Sequence, residues 1–289
     1  MEITLVEPRG FCSGVNRAIQ MLEKVLVQES APVYVYHEIV HNTWVVNYFR
    51  QHGVVFVQTL DEVPENSVLL FSAHGVSPAV RKEAEMRHLR TVDATCPLVA
   101  RIHQQVKKLT ADGFSIIFIG HRNHDEVVGI LGESPVAITL ISSADEVDSL
   151  DFPESTPLTY LMQTTLSVSE AATIVQKLKT RFPQLVKPRA DGICFATQQR
   201  QEAVRRLMAD HDILLVVGSQ NSSNSRRLAE IARDFNKKSY LIDGAEDMCP
   251  DWFQKNDRVL LTAGASAPEA VFQQCVGLLE KWEKEQNFC

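Results

Sequence analysis

Three cysteines share one local setting. Cys12 follows the apolar run Ile3–Val6 and the turn Pro8-Arg9-Gly10. It precedes a helical stripe of Val15, Ala18, Ile19, Leu22 and Leu26. Cys96 follows Thr91–Asp93 and precedes Pro97, a residue suited to the first helical position, with Leu98, Ile102, Val106 and Leu109 on the stripe beyond. Cys194 follows Gly192 and precedes Gln198–Ala209, whose apolar face is Ala203, Val204, Leu207 and Met208. Each stands just ahead of a helix, and successive members lie about a third of the chain apart. Three chemistries are open to such a set. Each cysteine can be a small buried hydrophobe. The set can join histidines in a zinc site. Or it can supply three thiolates to an iron–sulfur cluster, leaving one iron of a cubane open to a substrate oxygen. Cys249, Cys275 and Cys289 lack the repeated context and read as small hydrophobes.

Polar loops surround these cysteines. His37-Glu38-Ile39-Val40-His41-Asn42 and Ser72-Ala73-His74-Gly75 follow strand-like runs in the first third. Gly120-His121-Arg122-Asn123-His124-Asp125-Glu126 and Gln163-Thr164-Thr165-Leu166-Ser167 do so in the second. Gly218 to Ser225 and Gly264-Ala265-Ser266-Ala267-Pro268 do so in the last. Ser, Asn and His donors with helix-start amides suit a diphosphate and need no lysine. The serines can equally be caps and turn formers. His41, His74 and His124 each follow a strand and are open to ligand or structural use, whereas His52, His88, His103 and His211 read as structural. Glu126 is a candidate proton donor; its plainer role is a first-turn helix residue favoured by the dipole.

The elements that must hold these loops alternate. Short apolar strands are expected at Val33–Tyr36, Val54–Val57, Val68–Phe71, Ser115–Ile119, Val136–Ile141, Leu158–Met162, Ile213–Val217, Ser239–Ile242 and Val259–Thr262. Helical stretches at Ser77–Arg87, Val168–Arg181, Ser225–Phe235 and Pro268–Lys284 intervene. Alternation of this kind predicts an α/β fold with parallel sheets covered by helices. Ligands then gather at the carboxyl ends of the strands. The repeated cysteine setting favours three similar α/β lobes, residues 1–96, 97–193 and 194–289, over one doubly wound sheet. Lys187–Gly192 is the best linker candidate.

Composition narrows the classes. The 289 residues are 45% hydrophobic and 22% charged, which is globular rather than disordered. A net charge of −7 argues against a general nucleic-acid binder but leaves room for a small anion in a local field. No apolar run approaches the ~18 residues of a membrane span. No signal peptide is visible, so a cytoplasmic location is expected. The cysteines include no Cys-x-x-Cys knuckle, and they do not read as a disulfide framework.

Taken together, the motifs resemble the 4-hydroxy-3-methylbut-2-enyl diphosphate reductases, the last enzymes of the non-mevalonate isoprenoid pathway. The matching segments run in order along nearly the whole chain. They are Arg9 to Ile19, His37 to Asn42, Ser72 to Val76, Asp93 to Val99, Gly120 to Gly129, Gln163 to Ser167, Ile193 to Gln198, Gly218 to Ser225 and Thr262 to Pro268. The resemblance implies a trefoil of three lobes around a 4Fe–4S cluster held by Cys12, Cys96 and Cys194. It implies that His41, His74, His124, Ser222, Ser223, Asn224 and Ser266 hold the substrate diphosphate. Glu126 would supply a proton, and Thr164 would orient Glu126 and the substrate hydroxyl. The reaction implied is reductive dehydroxylation to isopentenyl and dimethylallyl diphosphate. Electrons would come from an external ferredoxin- or flavodoxin-type system, since no Gly-x-Gly-x-x-Gly dinucleotide fingerprint is present. A zinc-dependent hydrolase and a non-catalytic iron–sulfur redox sensor are the alternatives. Ser13, Asn16, Asn123, Asp125 and Phe195 depart from the family's common Ala, Asp, Gly, Pro and Tyr.

Overall fold

The computed structural model describes residues 1–29, 32–189 and 191–285; Cys289 lies outside them. The first third holds β1 (Glu2–Leu5), α1 (Ser13–Gln28), β2 (Val33–Tyr36), α2 (Thr43–Gln51), β3 (Val54–Val57), β4 (Val68–Phe71), α3 (Pro78–Met86) and β5 (Arg90–Asp93). Next come α4 (Pro97–Ala111), β6 (Ser115–Ile119), α5 (Asp125–Leu131), β7 (Ile138–Ile141), β8 (Leu158–Met162), α6 (Val168–Arg181) and β9 (Leu185–Val186). The last third holds α7 (Phe195–Met208), β10 (Ile213–Val217), α8 (Ser223–Asp234), β11 (Lys238–Ile242), β12 (Arg258–Ala263) and α9 (Glu269–Glu285). The strands form three four-stranded sheets in which all pairings are parallel. The fold class is thus the expected α/β with three small parallel sheets.

The sheets are wound alike. Their strand orders are β3-β2-β4-β5, β7-β6-β8-β9 and, read from the same side, β11-β10-β12-β1. The fourth strand of each is followed by Cys96, Cys194 and Cys12 respectively. The expected first lobe contained the run Ile3–Val6. That strand instead lies beside β12, from Glu2 opposite Arg258 to Leu5 opposite Leu261. It fills the fourth position of the last sheet, and among the described residues no strand follows β12. Contacts gather the chain into two compact units. One is Met1–Asn16, Val40–Phe49 and Phe195–Cys289, with the β1 sheet; the other is Arg17–Ile39 and Arg50–Cys194, with the other two sheets.

Burial on both faces explains the unbroken apolar strands. In β10 and β12, Ile213, Leu215, Val217, Val259 and Leu261 pack with Val271, Phe272 and Leu279 of α9. The alternate residues Leu214, Val216 and Leu260 pack with Val204 and Met208 of α7 and with Leu228 and Ile231 of α8. The β6 sheet repeats this, with Ile117 and Ile119 against α6 and Ile116 and Phe118 against Ile102, Val106, Val127 and Ile130. A fully buried side chain of this size contributes about 1.5–3 kcal/mol.

Lys187–Gly192 is not a slack linker at its end. The Met162 N–H donates to the Asp191 carbonyl at 2.7 Å. Gly192 has φ +122°, and a Cβ there would stand 2.1 Å from the Met162 carbonyl oxygen. Only glycine fits so close an approach in that conformation. The edge strand β9, just ahead of this segment, was not expected; two residues are too short to show alternation.

Candidate active site

Each of the three repeated cysteines hangs from the same place in its sheet. The Cys12 N–H donates to the Ala265 carbonyl at 3.1 Å, the Cys96 N–H to Ala73 at 3.0 Å and the Cys194 N–H to Thr164 at 3.0 Å. Ala265, Ala73 and Thr164 each stand two residues beyond the end of β12, β4 or β8. The repeat seen in the sequence is therefore a repeat in backbone hydrogen bonding. Helices α1, α4 and α7 begin immediately after the three cysteines.

In the unit that contains Cys96 and Cys194, the expected polar residues form a connected run. Ser72 Oγ lies 3.3 Å from Nδ1 of His74, and the His74 ring meets the His124 ring edge to face at 5.8 Å. His124 is the N-cap of α5, and its Nδ1 accepts the Glu126 N–H at 3.2 Å. In a neutral ring that acceptor role leaves the proton on Nε2, the tautomer able to donate to an anion. Glu126 is 2% exposed. Its Oε1 accepts the Thr164 N–H at 2.7 Å, and its Oε2 lies 2.6 Å from Thr164 Oγ1. Glu126 thus takes its plainer expected place in the first turn of α5, with its carboxylate against Thr164. Gln163, fully buried, accepts the His121 N–H at 2.9 Å and donates to Thr165 Oγ1 at 3.0 Å, which fixes both loops.

The unit that contains Cys12 gathers the others. Ser266, next after Ala265, donates its Oγ proton to the His41 carbonyl at 2.9 Å. Ser219 Oγ accepts the Thr43 N–H at 2.8 Å and donates to Asp243. Ser222 caps α8 by accepting the Ser225 N–H at 3.3 Å, the structural role open to these serines from the start. Ser223 and Asn224 follow it, both buried. Gly264 lets the loops close up, since a Cβ there would be 2.1 Å from Ser225 Oγ.

Two observations test whether cofactor and anion fit these residues. Cys12, Cys96 and Cys194 are thiols rather than disulfides, and each is half-buried. Cys275 is buried in the α9 core, and burial pushes its thiol up to about 12. The repeated three can reach a ligand, whereas Cys275 is set against forming a thiolate. For the anion, Asn224 is 4% exposed, and among the described residues neither Oδ1 nor Nδ2 of its side chain has a hydrogen-bond partner. Such a group costs about 1–3 kcal/mol unless something polar arrives. The donor set fits both groups.

Several supporting residues were not legible beforehand. Arg200, 4% exposed, donates from Nη2 to the Gly10 carbonyl at 2.7 Å and so props the Cys12 loop. Arg17 donates to the Thr95 carbonyl at 3.1 Å, beside Cys96. A lone arginine on a helix gives no sign of such a contact. Ser219 could be read only as part of a dense serine loop. Two of the departures from the common pattern also find their reason. Asn123 has φ +66°, a left-handed position that asparagine tolerates where glycine is usual. Asp125 is the first residue of α5, where proline is favoured for its fixed φ and an acid for the helix dipole.

Comparison with known proteins agrees with this architecture. A family model described as LytB protein matches residues 3–280. The 4-hydroxy-3-methylbut-2-enyl diphosphate reductase of Rhodopirellula baltica is 54% identical, over 97% of this chain and 88% of that protein. The enzyme of the same name from Shewanella oneidensis is 49% identical, over 97% of this chain and 89% of its own. Among solved structures, the E-1-hydroxy-2-methyl-but-2-enyl-4-diphosphate reductase of Plasmodium falciparum superposes with a TM-score of 0.94 at 39% identity, over 96% of this chain and 87% of that one. A second, described as the terminal enzyme of the non-mevalonate pathway, gives 0.67 at 29% identity, over 97% and 99%. A likeness that runs through all three sheets and every cysteine-bearing turn is one of descent, and the chain belongs to the LytB protein family.

Proposed function

We propose that this chain is an oxidoreductase that converts 4-hydroxy-3-methylbut-2-enyl diphosphate into isopentenyl and dimethylallyl diphosphate. The single observation that carries the reading is the threefold tether: three half-buried cysteines, each bonded through its N–H to the second residue after the third strand of a sheet. Nothing in a hydrolase calls for three equivalent thiol positions. The relatives' names supply the substrate.

Cys12, Cys96 and Cys194 would hold a 4Fe–4S cluster. When bound, that group supplies electron transfer and Lewis acidity. The net change breaks the allylic C–O bond and releases water, with two electrons and two protons consumed. A C–H bond forms at either end of the allyl unit, the double bond shifting for isopentenyl diphosphate. The electrons come from an external ferredoxin- or flavodoxin-type donor. His41, His74, His124, Ser222, Ser223, Asn224 and Ser266 would bind the diphosphate. His124 donates through Nε2, and the buried amide of Asn224 gains the partner it lacks. Each hydrogen bond to the charged diphosphate contributes about 1.5–3 kcal/mol.

Glu126 delivers the proton that lets hydroxide leave as water. Thr164 links it to the substrate hydroxyl. At 2.6 Å its Oγ1 can take the proton of Oε2 and pass its own onward. The Thr164 N–H holds Oε1 meanwhile, so the carboxyl group keeps its place in either protonation state. No helix among the described residues is long and apolar enough to cross a membrane. A reducing cytoplasm would keep the thiols as they stand.

The test is turnover of the allylic diphosphate by anaerobically purified protein. Product should form with a reduced one-electron donor and be absent without one. Breakdown of the substrate without any reductant would move the reading to a hydrolase. A coloured protein that binds but never turns over would move it to a sensor.

A further inference from the structure

Asp125 places a carboxylate beside a histidine that the proposed function gives to the diphosphate. Its Oδ2 lies 3.9 Å from Nδ1 of His74. A bare carboxylate there opposes the approach of an anion. Its other oxygen, Oδ1, lies 2.7 Å from Nδ1 of His37. His37 follows β2, His74 follows β4, and Asp125 opens α5, so one carboxylate spans two loops. The side chains of His37 and Asp125 are only 23% and 22% exposed, which limits screening by solvent.

His37 is held for this contact. Its N–H donates to the Val57 carbonyl at 2.8 Å, and its ring stacks on Tyr36 at 4.1 Å. Its φ of +57° is a left-handed conformation that costs a non-glycine residue energy and persists only where the surroundings enforce it. The hydrogen bond to Asp125 holds the His37 ring above the ordinary imidazole range; burial opposes this, and the Asp125 and Glu38 charges add to it.

We propose that His37 is a positioning residue. Paired with Asp125, it neutralises that carboxylate and keeps it directed at Nδ1 of His74, so that the His74 ring is oriented toward the diphosphate without a net negative charge beside it. This rests on His74 as a diphosphate ligand.

The experiment measures kcat and KM for His37→Gln in the wild-type and Asp125→Asn backgrounds, with calorimetry of inorganic diphosphate binding on the same proteins. In the wild-type background, KM and the diphosphate Kd should each rise about tenfold with kcat within about twofold. In the Asp125→Asn background the same substitution should change both by less than about twofold, because the charge it compensates is gone. His37→Lys, which keeps the cation, should recover most of the loss. Should the glutamine variant fail to fold, His37→Asn replaces it, since asparagine tolerates the left-handed backbone. Equal effects in both backgrounds, or unchanged KM and Kd, would overturn the proposal. Coupled diphosphate binding in a protein with no turnover would instead overturn the proposed function and leave this inference standing. A wild-type protein with neither turnover nor diphosphate binding would overturn both.

Discussion

Replacing Cys12, Cys96 or Cys194 singly with serine should reduce turnover to background and bleach the protein near 400 nm. On the proposed ligation, each substitution would remove one of the three thiolates that hold the cluster. Cys275 cannot take its place, being buried with its thiol pushed up to about 12. The fold should survive, since serine keeps the backbone N–H that tethers each cysteine, at 3.1, 3.0 and 3.0 Å, and its hydroxyl can accept the Val15 N–H now 3.5 Å from Cys12 Sγ. Cys249→Ser is the control and should keep colour and activity, because Cys249 sits outside the repeat, ahead of the short turn Pro250–Trp252. Visible absorbance, iron content and turnover on the four variants check this. A colourless Cys249→Ser, or a fully active member of the other three, would break the ligand assignment.

Glu126→Gln should lower kcat by at least about 100-fold while leaving the colour intact. Glutamine can keep both contacts to Thr164: its carbonyl accepts the N–H now 2.7 Å from Oε1, and its amide donates to Oγ1, now 2.6 Å from Oε2. What it cannot do is give up a carboxyl proton. Loss of a positioned acid is typically worth about 10²–10⁴ in rate. Substrate binding should stay within a few-fold, so the loss falls on kcat. Near-normal turnover would pass the proton to a histidine or to the substrate's own diphosphate. Loss of colour would show Glu126 to be structural.

Much of this was readable in the residues because the physics there is local. Strands such as Val33–Tyr36, Ser115–Ile119, Leu158–Met162 and Ile213–Val217 stand where the apolar runs put them, since both faces of each sheet are covered and polar residues mark the ends. The cysteine setting was legible because each lies between a strand and a helix. The partner of β1 was not, because its pairing reaches from Glu2 to Arg258. Helix α2 was hidden by Trp44, Val45, Val46, Tyr48 and Phe49, residue types that favour strands. Helix α5 was hidden by its 7-residue length, by Gly129 inside it and by a histidine as its cap. In the site, local pattern left Glu126 and Thr164 as separate candidates; that Thr164 orients Glu126, across 38 residues, was implied only by the family resemblance. The pair of His37 and Asp125, 88 residues apart, gave no sign at all. Side-chain pairing between loops depends on how the sheets are wound, and no local pattern encodes it.

The proposed reaction depends on the three repeated cysteines holding an iron–sulfur cluster. The most direct test is iron, zinc and acid-labile sulfide analysis of the wild-type protein purified without oxygen. About four irons and four sulfides per chain, with absorbance near 400 nm, are expected. Stoichiometric zinc without sulfide, in a colourless protein, would contradict the account.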